Sequence, residues 1–193
     1  MAHLFAKRLV NKLYSRPYLI ITNTVTGVIS ISIGDVLQQN LEHYWSHHQK
    51  QQDANPSDRP FEWNLTRTRN MMVAGIYFSL FGHWWYSYLD RKFPPHVKSS
   101  VGKKLIAESA MGPLLVSSVF LIFGQINEQK FDTTLQRIRQ NLGLICTAEW
   151  LVFIPIQWIN FAFVPAAYRY LYVATISIGY DAFLSYIFHR FEK

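Results

Sequence analysis

Cysteine is almost missing: Cys146 is the single one in 193 residues. No internal disulfide can form, and a zinc site would need ligands from elsewhere. Charge is scarce too, at 16% Asp, Glu, Lys and Arg, against about 25% in an average soluble domain. There is no Gly-x-Ser-x-Gly, His-Glu-x-x-His, Cys-x-x-Cys or phosphate-cradling glycine loop. The usual footings for hydrolytic, metalloprotease, thiol and nucleotide chemistry are therefore missing. The expectation is a chain that is not an enzyme and holds no metal or cofactor. What is plentiful is apolar: half of the residues are AVILMFWYC, including 14 Phe, 11 Tyr and 6 Trp. Disorder, a fibrous repeat and a disulfide scaffold are excluded by that composition. The mean hydropathy of +0.03 does not separate a soluble globule from a membrane protein, but the placement of charge does.

Between Arg16 and Asp35 lie 18 uncharged positions, between Arg69 and Asp90 another 20, and between Glu108 and Glu128 another 19. After Arg139 the next 50 positions hold only Glu149, Arg169 and Asp181 as formal charges. Helices of roughly 20 residues rising about 1.5 Å each cross a hydrocarbon core of about 30 Å. A soluble bundle would carry charged faces at helical spacing, and Asn70–Leu89 has none. Trp84, Trp85, Tyr86 and Tyr88 bunch before Asp90-Arg91-Lys92, and Tyr168, Tyr170 and Tyr172 bracket Arg169, as at a headgroup boundary. The expected fold is all-α, a multi-pass transmembrane helical bundle.

The spans fall at about 17–37, 70–89, 109–127 and 146–167, with 170–188 either a fifth crossing or an apolar helix beside the bundle. Four spans put 12 of the Lys and Arg residues on one side and 7 on the other, whereas five give 10 and 9. The positive-inside bias therefore favours four, with both termini on the basic side and an additional C-terminal apolar helix. Residues 17–190 form a single transmembrane domain, interrupted by a polar loop at about 43–60. In that loop His43, His47 and His48 could meet a metal if helical, although a solvated loop is the simpler reading. Residues 1–16 contain Lys7, Arg8, Lys12 and Arg16 and no acid. On a helical wheel Phe5, Leu9, Val10, Leu13 and Tyr14 share one side. Such a basic amphipathic start has the composition of a mitochondrial targeting segment, or of a flank that orients the first span.

Polar groups inside spans need partners or water. Cys146, Glu149, Gln157 and Asn160 fall on one helical face, and Ser177, Asp181, Ser185 and His189 recur at intervals of four. Asp35 closes the first span, with Gln38 and Gln39 a turn later, and His83 lies within the second. These stripes are expected to face one another, either as interhelical glue or as the wall of a wet pathway. Asp35, His83, Glu149, Gln157, Asn160 and Asp181 are the candidate pore or intramembrane polar residues. Gly27, Ser30, Gly34, Gly75, Ser79 and Gly82 permit close helix approach, while Pro113, Pro155 and Pro165 interrupt the ladders.

Gln157-x-x-Asn160-Phe161-x-x-Val164-Pro165-x-x-x-Arg169 resembles the most distinctive motif of the Mpv-seventeen and twenty-two-kilodalton peroxisomal membrane protein family. Thr26-Gly27, Gly34-Asp35 with Gln39, Arg67-Thr68, His83-x-Trp85-Tyr86-x-x-Leu89-Asp90 and Leu184-Ser185-Tyr186 also match. Asn64 stands where the family pattern has an acid, Glu108-Ser109 where it has Asp-Gln, and Tyr180 where it has Trp. The resemblance implies a four-span protein of the mitochondrial inner membrane or, in other branches, of the peroxisomal membrane. It also implies either non-selective channel behaviour or support of mitochondrial ribosome assembly and translation. Expected partners are the lipid bilayer, mitochondrial ribosomal subunits (protein or RNA) and a second copy of the chain. Arg91, Lys92, Lys103 and Lys104 are the candidate partner-contact residues.

Overall fold

The computed structural model describes residues 2–50, 62–94 and 99–189. These form α1 (Ala2–Leu13), α2 (Leu19–Lys50), α3 (Leu65–Lys92), α4 (Ser100–Ile126), α5 (Phe131–Phe163) and α6 (Arg169–His189), with one 3₁₀ turn at Ala166–Tyr168. Among the described residues there is no strand, and the fold is an all-α helical membrane bundle.

Local chemistry sets the helix ends. The Asn64 side chain accepts from the Arg67 amide at 3.0 Å and caps α3. α4 stops where Glu128 enters the left-handed region at φ 51°, and the Gln129 amide reaches back to Gly124 O at 2.8 Å. Pro165 excludes helical backbone from the residue before it, so Val164 is extended (φ −87°, ψ 127°) and α5 ends there.

Contacts between ends fix the helix directions. Asp35, midway along α2, meets Arg67, early in α3, and Ser185, late in α6. Asp90, late in α3, meets Lys104, early in α4, and Arg169 at the start of α6. A Cβ on Gly124, late in α4, would strike Thr134, early in α5. The five long helices therefore alternate, with α2, α4 and α6 running one way and α3 and α5 the other. α2 packs between α3 and α6, and α4 and α5 lie along each other. A Cβ at Gly34 would lie 2.6 Å from Asp181 Cβ, so glycine lets α6 approach α2 there.

The cross-section is inverted relative to a soluble protein. Among the described residues, buried polar side chains are as numerous as buried apolar ones. Meanwhile Ile21, Val25, Ile29, Ile33, Leu37 and Leu41 form an exposed apolar stripe along α2 at intervals of four, and Leu151 on α5 is 74% exposed. Oil around the bundle explains both facts, since exposed apolar surface then costs little and polar groups need internal partners.

Three helices, α2 (through Trp45), α4 and α5, are long and apolar enough to cross a membrane. The uncharged run 70–89 lies inside α3, whose Tyr, Trp and His residues lower its hydropathy. Residues 170–188 do not lie beside the bundle. α6 has 21 residues, about 32 Å at helical rise, and runs inside the bundle along α2, where Asp181 accepts from Ser30 and Ser185 donates to Asp35. The start of α2 and the end of α6 therefore lie at opposite ends of the bundle. The expected polar loop is also shortened: α2 stays helical to Lys50. Residues 51–61 and the side chains of His47 and His48 lie outside the described residues.

Candidate functional site

Three polar assemblies occupy the interior. At one end Asp35, fully buried, accepts four hydrogen bonds: Arg67 Nε at 2.9 Å, Ser185 Oγ at 2.5 Å, Thr68 Oγ1 at 2.6 Å and Gln39 Nε2 at 2.8 Å. Arg67 also donates to both carboxylate oxygens of Glu42, at 2.8 and 3.2 Å. A carboxylate so saturated is a structural pin, because a buried charge survives only when fully paired. It ties α2, α3 and α6 together.

At the opposite end Asp90 pairs with Lys104 at 2.5 Å and with Arg169. Both cations also lie over the Phe161 ring, at 5.4 and 5.5 Å from its centroid. Arg169 Nε donates to the Val164 carbonyl at 3.1 Å, bridging the break that Pro165 makes. The Asn160-Phe161-x-x-Val164-Pro165-x-x-x-Arg169 motif is thus a corner: helix end, extended proline turn and helix start, clamped to α3 by Asp90. Asn160 Nδ2 donates to Gln157 Oε1 at 2.8 Å, and Gln157 Nε2 donates onward to Tyr86 OH at 2.7 Å and Glu108 Oε1 at 2.8 Å. Trp85 Nε1 donates to the other Glu108 oxygen at 2.5 Å.

Between these ends, where α2, α3 and α6 face the α4–α5 pair, lies a cavity of about 170 Å³. Glu108, Glu149 and Asp181 line it together with Tyr86, Tyr170, Tyr180 and the rings of Phe78, Phe81, Trp85 and Phe153. Ser30 and Ser177 each donate to Asp181 Oδ2 at 3.0 Å. Tyr170 OH donates to Ser79 Oγ at 2.8 Å. Glu149 Oε2 and Tyr180 OH are buried without a hydrogen-bond partner. A second cavity of about 230 Å³ opens towards the Asp90 end between Tyr14, Arg16, Asn23, His83, Ser87 and Asp90, and it shares Tyr86 and Tyr170 with the first. Those two tyrosines form the partition between them. Burial raises the Tyr14 phenol above its ordinary value in this outer chamber. Ile31, Val116 and Leu184 of the cavity wall belong to an apolar cluster that continues through Val119 and Phe120.

The expected polar stripes do face inward, but they divide among different tasks. Glu149, Gln157 and Asp181 line the central cavity, whereas Asp35 belongs to the end cluster and Asn160 stands behind Gln157. His83 lines the outer cavity, with Nδ1 3.3 Å from Asn23 Nδ2, and not the wall that carries the acids. Lys104 is corrected: it is 1% exposed and spent on Asp90, so it offers nothing to a partner. Arg91, Lys92 and Lys103 remain on the surface. Only half of the aromatic bunch behaves as a belt, for Trp84 and Tyr88 point outward while Trp85 and Tyr86 turn to Glu108 and Gln157. Glu108 bounds an uncharged window in the sequence, which hides its place in the cavity wall. Its signal is the +4 offset from Lys104, which puts both residues on one face of α4. Among the described residues no group of three or more His, Cys, Asp or Glu could hold a metal ion.

The model of the Mpv17 / PMP22 family matches residues 124–185, from the end of α4 through most of α6. PXMP2/4 family protein 2 of Dictyostelium discoideum is 27% identical over 90% of this chain and 86% of its own length. The mitochondrial inner membrane protein Mpv17 of Drosophila melanogaster is 26% identical over 65% of this chain and 77% of its own. Peroxisomal membrane protein 2 of Bos taurus is 23% identical over 88% and 83% respectively. No solved structure matches the chain.

Proposed function

We propose that this chain, like the Mpv17 / PMP22 family proteins to which it is similar, is an integral protein of the mitochondrial inner membrane whose interior forms part of a path for small polar solutes. The peroxisomal membrane is the alternative location, on the strength of the bovine relative. One observation carries the reading: two cavities, each with polar side chains in its wall, adjoin at Tyr86 and Tyr170, which line both. Interhelical glue would bury its polar groups in mutual contact, as the Asp35 cluster does. Glu149 Oε2 and Tyr180 OH are instead buried without a hydrogen-bond partner, on side chains that line the central cavity. No catalytic step is assigned. The test is solute flux and conductance of the purified protein in planar bilayers, where Glu149→Gln changes ion preference. Absence of conductance for the reconstituted wild type would overturn the pathway.

A second reading is favoured by a different observation. Arg91, Lys92 and Lys103 stay exposed around the Asp90 end, a basic patch suited to an acidic or RNA-bearing partner such as a mitochondrial ribosomal subunit. Reversing these three charges should weaken co-sedimentation with ribosomal subunits. Unchanged co-sedimentation of a normally inserted variant would remove this contact.

A further inference from the structure

We propose that the central cavity binds a small organic ammonium ion. This deepens the pathway reading and rests on it for the site's role, though binding is separable from flux. Charge is the first ground. Glu108, Glu149 and Asp181 enter the wall from three different helices, and no lysine, arginine or histidine is among its described lining residues. The buried cations Arg67, Lys104 and Arg169 are all engaged at the two ends of the bundle. An anion would find no counter-charge here, and a cation finds three acids.

Unmet hydrogen bonding is the second ground. Glu149 Oε2 has no partner, and its carboxyl lies against α4 at Gly112, where a Cβ would sit 2.6 Å from Glu149 Cδ. Glycine thus keeps room for an acid that has no cationic partner among the described residues. Tyr180 OH, also unpartnered, lines the same space.

The third ground separates an organic cation from a metal ion. The acids are spread around the wall and do not converge as metal ligands, and seven aromatic rings share the lining with aliphatic and small residues. Ring faces attract an ammonium through their quadrupoles, most strongly where water is excluded, and methyl groups on nitrogen fit an apolar wall. A hard metal ion would need an oxygen shell that is not there. Size agrees as well: an engineered cavity of about 150 Å³ accepts benzene, so about 170 Å³ suits an ion of roughly seven non-hydrogen atoms.

The experiment uses the full chain in detergent micelles with two probes of equal shape. Choline carries the charge, and 3,3-dimethylbutan-1-ol replaces its nitrogen by carbon. Calorimetric titration should show choline binding at least tenfold tighter, and Glu149→Gln should remove at least tenfold of that affinity while Glu42→Gln, at the far end, leaves it unchanged. Equal affinity for the two probes, no binding of either, or displacement of choline by magnesium at one equivalent would each overturn the proposal. Choline binding with no solute flux through liposomes would sustain it and overturn the pathway. Flux with no preference between the probes would do the reverse.

Discussion

Asp90 is the point at which removing one atom group should hurt most. Its carboxylate is the counter-ion of both Lys104 and Arg169, whose side chains are 2% and 6% exposed. Asp90→Ala leaves two cations buried with only the Phe161 ring between them. Removing one partner from a buried pair costs about 3–5 kcal/mol. Asp90 itself is 24% exposed, so water can reach the vacated site and about 3 kcal/mol is the better figure. For a chain of this size that lowers the melting temperature by about 6–12 °C. Lys104→Met alone leaves Asp90 with Arg169 and should cost about 1 kcal/mol, because an apolar stem of similar length replaces the lysine. The double variant strands one cation, not two, and Arg169 still holds the Val164 carbonyl. It should therefore be more stable than the sum of the single losses by about 1–2 kcal/mol, well beyond the additivity error for independent sites. Thermal unfolding in one detergent, followed by tryptophan fluorescence for the four proteins of the cycle, measures this. Additive losses would refute the idea that the two cations share a single counter-charge.

Other consequences follow from the packing. Gly34→Ala should cost about 1–3 kcal/mol, since its Cβ would press on Asp181 and the α6 backbone. Gly102→Ala, with nothing within 4 Å, should be neutral or stabilise by about 0.4–1 kcal/mol, and melting curves of the pair check both signs. Asn64→Ala removes the α3 cap and should cost about 1 kcal/mol, read as faster amide exchange over residues 65–68. Leu151→Arg places a charge on the exposed apolar face of α5 and should impede insertion, with a cost of about 2.5–3.5 kcal/mol if that position lies near the bilayer centre. Partition of the translated chain into carbonate-resistant membranes measures it.

The helices themselves were legible because lipid forbids charge on the faces that touch it, and the uncharged windows mark those faces. Their ends were less so. α2 continues from Asp35 to Lys50 beyond its window, with Gln39 and Glu42 hydrogen-bonded to Asn64 and Arg67 from the start of α3. The stripes Glu149–Gln157–Asn160 and Ser177–Asp181–Ser185 were visible as helical spacing and do turn inward. Which stripe meets which depends on the relative height of five helices, and no local pattern encodes that. Lys104 shows the cost: as a basic residue near a membrane edge it reads as surface, and only Asp90 and Phe161, from two other helices, make its burial tolerable. The motif residues Val164, Pro165 and Arg169 were readable as a unit, but their clamp on Asp90 spans 79 positions of sequence.

The most direct test asks on which side of these helices the water lies. In a Cys146→Ser background, single cysteines at Phe153 and Val173, on the cavity wall, and at Ile29 and Leu151, on the outer face, would be exposed in membranes to a small positively charged methanethiosulfonate. The wet-interior account predicts rapid labelling of Phe153→Cys and Val173→Cys and none at Ile29→Cys or Leu151→Cys. Labelling of the outer pair with protection of the inner pair would contradict it.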